Sequence, residues 1–253
     1  MTPLMIGSIG VIAFIILLVA RMPIAIAMAV VGVVGFGIIS SPAAALKMAA
    51  TEVFTSFNSY NLSVIPMYVW MGFLAYYSGL GSRLFNFAYK LIGHFPGGLA
   101  MATQVASAMF GAVCGSNTAT AATMGAIALP EMKKYEYDQS LSTASIASGG
   151  ILGILIPPSV TFIVYGVATE QSIGKLFMSG IGPGILLMLL YIAAIYILTR
   201  RNPKLAPPGP KATWKERWEA LRGGLFEAIV VFVISVGGLS LGWFTPTEAG
   251  AVG

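Results

Sequence analysis

Residues 111–118 read GAVCGSNT, a small and polar stretch in the middle of an apolar interval. That interval has no charged residue from Phe95 to Pro130, a length of 36 residues. As one helix it would be roughly 54 Å long, whereas the hydrocarbon core of a bilayer is about 30 Å thick. Non-helical backbone at membrane depth must be buried in protein or line a wet cavity. We therefore predict a hairpin of two half-helices that enters and leaves the membrane on one side, with its polar tip at mid-membrane.

The composition of the whole chain agrees with a membrane environment. Of the 253 residues, 57% are hydrophobic and 9% are charged, whereas about a quarter of the residues of a soluble domain are charged. The sequence thus predicts an all-α polytopic membrane protein with about six spanning helices, one re-entrant helical hairpin and one unwound span, in a single membrane-embedded unit (1–253). The uncharged stretches that could hold these elements are 1–20, 22–46, 53–82, 91–130, 139–169, 176–199 and 228–247.

The positions of the basic residues predict an orientation. If the hairpin is re-entrant and the other intervals each cross once, only Lys47 and Lys175 of the 14 basic residues lie opposite the other 12. By the positive-inside rule the hairpin then opens to the cytoplasm and the N-terminus is periplasmic. The net charge of +5 is explained by this orientation, so we expect no nucleic acid as a partner. The single cysteine excludes a disulfide scaffold.

Half of the basic residues fall in one segment, 200–222, which surrounds a proline-rich loop. The orientation places this segment in the cytoplasm. Its end, Trp214 to Leu221, has Trp214, Trp218 and Leu221 at the spacing of one helix face, which predicts an amphipathic helix that faces lipid. A solvated charged loop is the alternative.

A second helix break is predicted at residues 149–159, which read GGILGILIPPS. Because Pro157 and Pro158 have no N–H, the carbonyls of Gly153 and Ile154 lose their helical donors. The span must break or kink there, and an unwound segment would expose carbonyl oxygens to a neighbour or to an ion. Such hard oxygen ligands suit Na⁺ better than a transition metal.

The tip of the hairpin offers the same kind of chemistry. Gly115, Ser116, Asn117 and Thr118 bring hydroxyl and amide oxygens to the ends of two helices, where free carbonyls suit a cation and free N–H groups suit an anion. Close packing of helices through small polar residues is the alternative explanation. Discontinuous helices that hold substrate and coupling ion near the midplane are typical of secondary transporters. We interpret residues 95–169 as the hairpin and broken span of a transport domain.

The residues also resemble a known family, the large membrane subunit of TRAP transporters (the DctM-like family of the ion transporter superfamily). The resemblance covers nearly the whole chain and is most specific between about 96 and 184. Its motifs are Pro96, GSNTAT (115–120), PEM (130–132), IPPS (156–159), YG (165–166), SIGKLF (172–177), GIGPG (180–184) and WFTPTEAG (243–250).

The resemblance implies Na⁺-coupled uptake across the bacterial inner membrane by an elevator mechanism. It also implies a small membrane subunit and an extracytoplasmic solute-binding protein as partners, besides membrane lipid. The substrate would be an organic anion with a carboxylate, such as a dicarboxylate, a keto acid or sialic acid. Carried over to this sequence, the Na⁺ site comprises Gly115, Ser116, Asn117, Gly153, Ile156 and Pro157. The substrate site comprises Ser116, Asn117, Thr118, Pro158 and Ser159.

The length departs from the family, which ordinarily has two inverted halves. We find one hairpin and one unwound span, so the chain resembles the first half of an inverted-repeat elevator transporter. We expect a truncated chain rather than a half-transporter that dimerises. A channel or a passive assembly subunit is the alternative function. An intramembrane hydrolase with Ser116 as nucleophile is a remote one, because the only histidine, His94, lies a full half-helix from the tip. We therefore expect no enzymatic activity.

Overall fold

The computed structural model describes residues 3–253, with the side chains of Pro3 and Asn61 left out. Within this range the regular structure is helical, and no strand occurs. The chain divides into two compact units, residues 1–60 and 61–253. The prediction of one membrane-embedded unit over 1–253 stays a prediction.

The first unit contains the helices α1 (Pro3–Val19), α2 (Ile24–Ile39) and α3 (Pro42–Phe57). Consecutive helices pack against each other. Proline separates them, because it cannot donate the hydrogen bond that would continue a helix. At α3, the Ser41 hydroxyl accepts a hydrogen bond from the Ala44 N–H at 3.2 Å, with Pro42 in the first turn. Serine at this position and proline just after it are typical of a helix start.

A 3₁₀ turn at Tyr60–Ser63 includes the boundary between the units. In the second unit, π-helical turns at Leu221–Leu225 and Val233–Gly237 join α11, α12 and α13. Its helices are α4 (Val64–Tyr77), α5 (Leu80–Ile92), α6 (Gly98–Cys114), α7 (Asn117–Lys134), α8 (Gln139–Leu155), α9 (Val160–Ala168), α10 (Ile173–Arg201), α11 (Trp214–Ala220), α12 (Phe226–Phe232), α13 (Gly238–Ser240) and α14 (Pro246–Val252).

Helix α6 lies at the centre of this unit. It packs against α5, α7, α8 and α10, and most of its side chains are buried. Ala100, Ala102 and Ala106 are fully buried, and small side chains of this kind let neighbouring helices approach closely. The larger buried side chains of the same core include Phe110 on α6 and Met124 on α7.

Two helical segments are long and apolar enough to cross a membrane, by length and composition, in the part of the chain that the structure describes. They are α10, with 29 residues, and the 27-residue run Trp214–Ser240 that contains α11 to α13. A third is the pair α8 and α9, if the two count as one bent span. The protein is thus a multi-pass helical membrane protein, while the count of six crossings stays a prediction. Uncharged intervals overestimate helix length because they contain helix breaks; interval 53–82, for example, holds parts of three helices.

The segment 205–209, which follows α10, is hydrogen-bonded to residues just before α6 and just before α8. The Gly97 N–H donates to the Ala206 carbonyl at 3.3 Å, and the Gly209 N–H donates to the Gly93 carbonyl at 2.9 Å. The Asp138 N–H, just before α8, donates to the Leu205 carbonyl at 2.9 Å. These backbone hydrogen bonds tie the start of the hairpin and the start of α8 to one connecting segment (205–209).

Candidate functional site

The predicted hairpin tip is a break of two residues between α6 and α7. Gly115 has a positive φ of 66° and donates its N–H to the Gly111 carbonyl at 2.8 Å, a left-handed helix end that glycine adopts without strain. Ser116 follows in extended conformation, and its hydroxyl accepts a hydrogen bond from the Ala119 N–H at 3.4 Å. The stretch therefore ends one helix and begins the next, as its glycine and polar residues predict.

The second predicted break lies between α8 and α9, where the two helix axes are bent by 43°. Helix α8 ends at Leu155, Ile156 is extended, and the Pro157–Pro158 peptide bond is cis. The Ser159 hydroxyl then caps α9 by accepting a hydrogen bond from the Phe162 N–H at 3.4 Å. The structure thus has an interrupted helix at the two prolines rather than a kink within a continuous one.

The two breaks pack directly against each other. The Val160 N–H, at the start of α9, donates to the Gly115 carbonyl at 3.3 Å. A Cβ atom on Gly115 would lie 2.6 Å from the Pro158 carbonyl oxygen, and a Cβ on Gly111 would lie 2.5 Å from the Cα of Gly153. Side chains at these positions would not fit, so glycine allows the hairpin and the broken span to meet backbone to backbone.

Polar atoms of α7 line this contact. A Cβ on Gly153 would lie 2.5 Å from the Thr120 hydroxyl oxygen and 3.1 Å from the Ser116 carbonyl oxygen. One turn earlier on α8, Gly150 faces the Asn117 side-chain oxygen. Hydroxyl, amide and carbonyl oxygens therefore gather where two helices are interrupted.

Most of the predicted site residues meet at this junction. The contacts above join Gly115, Ser116, Asn117, Gly153 and Pro158. Ile156 packs its side chain against Gly184 of α10 and in a cluster with Ala108 and Leu152. The predicted site residues differ in burial. Ser116 and Asn117 are half-buried, and Thr118 is exposed. The buried ones are Gly115, Gly153, Ile156, Pro157, Pro158 and Ser159.

The predicted substrate residues divide into two groups. Ser116 and Thr118 line a cavity of about 400 Å³ between α4 and α7, whose other walls include Val69, Phe73 and Tyr76. Pro158 and Ser159 are buried in the helix junction and do not line this cavity. The hairpin tip thus borders an accessible space on one side and the interrupted α8–α9 span on the other.

Two buried polar side chains, one beside the junction and one further along α6, were not predicted from the sequence. Thr120 is fully buried and faces Gly153; its position one turn after Ser116 could have indicated this. Gln104 of α6 is also fully buried, and its amide nitrogen donates to the Ser145 carbonyl at 2.7 Å and to the Ser148 hydroxyl at 3.0 Å. A glutamine in an apolar helix that faces a serine-rich helix could have predicted that contact.

Comparison with known proteins adds a family assignment. The profile of the family described as "Tripartite ATP-independent periplasmic transporter, DctM component" matches residues 11–253. The C4-dicarboxylate TRAP transporter large permease protein DctM of Pseudomonas aeruginosa is 39% identical over 207 residues, which are 82% of this chain and 48% of that protein. The ectoine TRAP transporter large permease protein TeaC of Halomonas elongata is 35% identical over 235 residues, 93% of this chain and 54% of that protein.

A further relative is the isethionate TRAP transporter permease protein DctMQ of Oleidesulfovibrio alaskensis. It is 35% identical over 246 residues, which cover 94% of this chain and 37% of that protein. The chain thus spans about half the length of the curated relatives it matches, or less. These relatives are named permeases, which confirms the expectation that the chain is not an enzyme. The resemblance seen in the motifs is confirmed as well: the chain belongs to the DctM family of large TRAP transporter components.

Proposed function

We propose that this chain forms part of the large permease of a TRAP transporter that takes up a carboxylate-bearing organic solute together with Na⁺. The observation that carries this proposal is the junction between the hairpin tip and the α8–α9 break. Two interrupted helices that meet in one membrane protein are the arrangement in which secondary transporters hold substrate and coupling ion. The matched relatives include a permease for C4-dicarboxylates, which are organic anions with carboxylates.

In this proposal Na⁺ binds among neutral oxygens at the junction. Ser116, Asn117 and the α8 carbonyls near Gly153 supply them, and the backbone at Gly115, Ile156 and Pro157 completes the set. Thr120 adds a hydroxyl that faces Gly153. The solute binds at the tip. Ser116 and Thr118 line the cavity on its open side, and Asn117, Pro158 and Ser159 complete the proposed solute site from the junction.

The proposed transporter works in the bacterial inner membrane with a periplasmic N-terminus. A small membrane subunit and an extracytoplasmic solute-binding protein are its proposed partners; the relative named DctMQ supports the first of these. The elevator movement would carry the hairpin and broken span, residues 95–169, as one body. The backbone contacts at Gly111, Gly115 and Gly153 support this, because they join the two elements without flexible side chains.

The test is solute uptake into proteoliposomes that contain the transporter, its small subunit and a loaded binding protein. Asn117→Ala and Ser116→Ala should raise the Na⁺ concentration needed for half-maximal uptake. The matched control is Thr143→Ala, which removes a hydroxyl from an exposed position of α8 outside the junction. Full uptake with unchanged Na⁺ dependence in both site variants would refute the assignment of the cation site.

A further inference from the structure

The outer side of α11 combines exposed aromatic and exposed basic residues. Trp214 and Trp218 are 76% and 50% exposed, and Lys215 and Arg222 are exposed beside them. Arg222 lies in the π-helical turn that follows α11, and at about 3.6 residues per turn the four positions fall on one side of the helix. We call them the α11 outer face: Trp214, Lys215 and Trp218 of α11, with Arg222. Glu219, also exposed, lies at its edge.

The opposite side of α11 packs on α5, and glutamates of α11 and α12 contact basic residues of α5. The Glu216 carboxylate of α11 lies 3.1 Å from the Lys90 ammonium group. The Glu227 carboxylate of α12 lies 2.8 Å from the Arg83 guanidinium. Two carboxylates are thereby neutralised by α5 rather than by their own segment.

The basic residues of segment 200–222 form no ion pairs in the described part of the chain. No carboxylate lies within 4 Å of any of them in the described part of the chain. The Arg222 guanidinium carbon lies 5.4 Å from the centre of the Trp218 ring. A contact with the ring face leaves the guanidinium N–H groups in its plane free to donate, and they match two oxygens of one phosphate.

The position of α11 in the chain decides what these groups face. A π-helical turn, kinked at the non-helical Gly224, connects α11 to the apolar part of the run Trp214–Ser240, which as a whole is long and apolar enough to cross a membrane. The segment just before the apolar part lies where such a span leaves the hydrocarbon. Tryptophan prefers this headgroup level, and basic side chains there are attracted to anionic lipids.

We propose that the α11 outer face is a binding site for the phosphate groups of anionic phospholipids. Lys215 and Arg222 contact the phosphates, and Trp214 and Trp218 lie at the level of the headgroups. Each basic residue near an anionic membrane surface contributes about a fivefold preference. The site requires only that the run Trp214–Ser240 spans the membrane, and it is independent of Na⁺ coupling.

The test is tryptophan quenching in the transporter reconstituted into vesicles that contain brominated lipid. Trp70 and Trp243 are exposed as well, so both are first replaced by phenylalanine. Brominated phosphatidylglycerol should quench the remaining tryptophans at an at least fivefold lower mole fraction than brominated phosphatidylcholine. Lys215→Gln combined with Arg222→Gln should remove most of this preference, and raised salt should weaken it in the unaltered protein.

The matched control is Lys47→Gln combined with Lys175→Gln, which removes the same charge from two exposed lysines outside the segment. It should keep the preference. Equal quenching by both lipids, or a preference that survives in the Lys215/Arg222 variant, would overturn the proposal. Protection of the tryptophans from both lipids by the small subunit would show a protein interface instead, and would overturn it as well.

Discussion

Replacing Gly111 by alanine tests the contact between the hairpin and the broken span most directly. The new Cβ would lie 2.5 Å from the Cα and 3.0 Å from the backbone nitrogen of Gly153. Ordinary carbon contacts are about 3.5–4.0 Å, so α6 and α8 would have to separate by about 1 Å. Because the obstructing atoms belong to a helix backbone, they cannot move aside as a side chain can.

The expected cost is the difference between two effects. Overpacking of a dense core lowers the free energy of unfolding by about 1–3 kcal/mol, whereas replacing a helical glycine by alanine raises it by about 1 kcal/mol. Gly111→Ala should therefore lower the free energy of unfolding by up to about 2 kcal/mol. The control is Gly125→Ala on α7, where the new Cβ meets only the Ile146 side chain at 3.7 Å; it should stabilise the protein by about 1 kcal/mol.

The assay is the melting temperature of the detergent-solubilised transporter, measured for both variants at one scan rate. The two shifts should have opposite signs. If Gly111→Ala melts at or above the temperature of Gly125→Ala, the backbone contact between α6 and α8 does not exist and the proposed cation site loses its geometry.

Two further predictions concern the parts of the fold around the site. Ala206 in the connecting segment is 1% exposed, so Ala206→Leu should lower the free energy of unfolding by about 1–3 kcal/mol. The control, Lys204→Leu at an exposed position nearby, should change it by less than about 0.5 kcal/mol. Equal melting temperatures of the two variants would contradict the buried position of Ala206. At α14, the Glu248 carboxylate accepts hydrogen bonds from the Thr245 N–H and hydroxyl, both at 2.8 Å, which lower the pKa of Glu248. The capping contribution should thus be complete above the ordinary pKa of a glutamate and lost as the pH falls through the lowered value. Weaker protection of the α14 amides at low pH, measured as exchange relative to the intrinsic rate at each pH and absent in Glu248→Gln, would show it.

Both helix breaks could be predicted from the sequence because their causes are local. Gly115 adopts a positive φ that other residues avoid, and Ser116 caps the helix that follows it. At the second break, Pro157 and Pro158 remove two hydrogen-bond donors wherever they stand in a fold. Each signal acts within one helical turn, so no knowledge of the tertiary structure is needed to recognise it.

The contact between the breaks could not be predicted in the same way. Gly111, Gly150 and Gly153 are the residues that let α6, α7 and α8 meet, yet glycines are frequent in membrane helices for several reasons. Whether a glycine faces a neighbouring backbone depends on the rotation of each helix about its axis. That rotation is set by packing over the whole unit, as at Gln104 and the serines of α8, and not by the residues next to the glycine.

The two variants proposed for the cation site, Ser116→Ala and Asn117→Ala, should differ in their effect on the stability of the hairpin tip. The Ser116 hydroxyl caps α7, and removing such a cap costs about 0.5–2 kcal/mol in addition to any lost ligand. A weaker Na⁺ dependence in Ser116→Ala would therefore combine a binding effect with a loosened hairpin tip. The Asn117 side chain caps no helix, and alanine in the first turn of α7 favours the helix. Weaker Na⁺ dependence without a lower melting temperature in Asn117→Ala would thus report on the ligand alone.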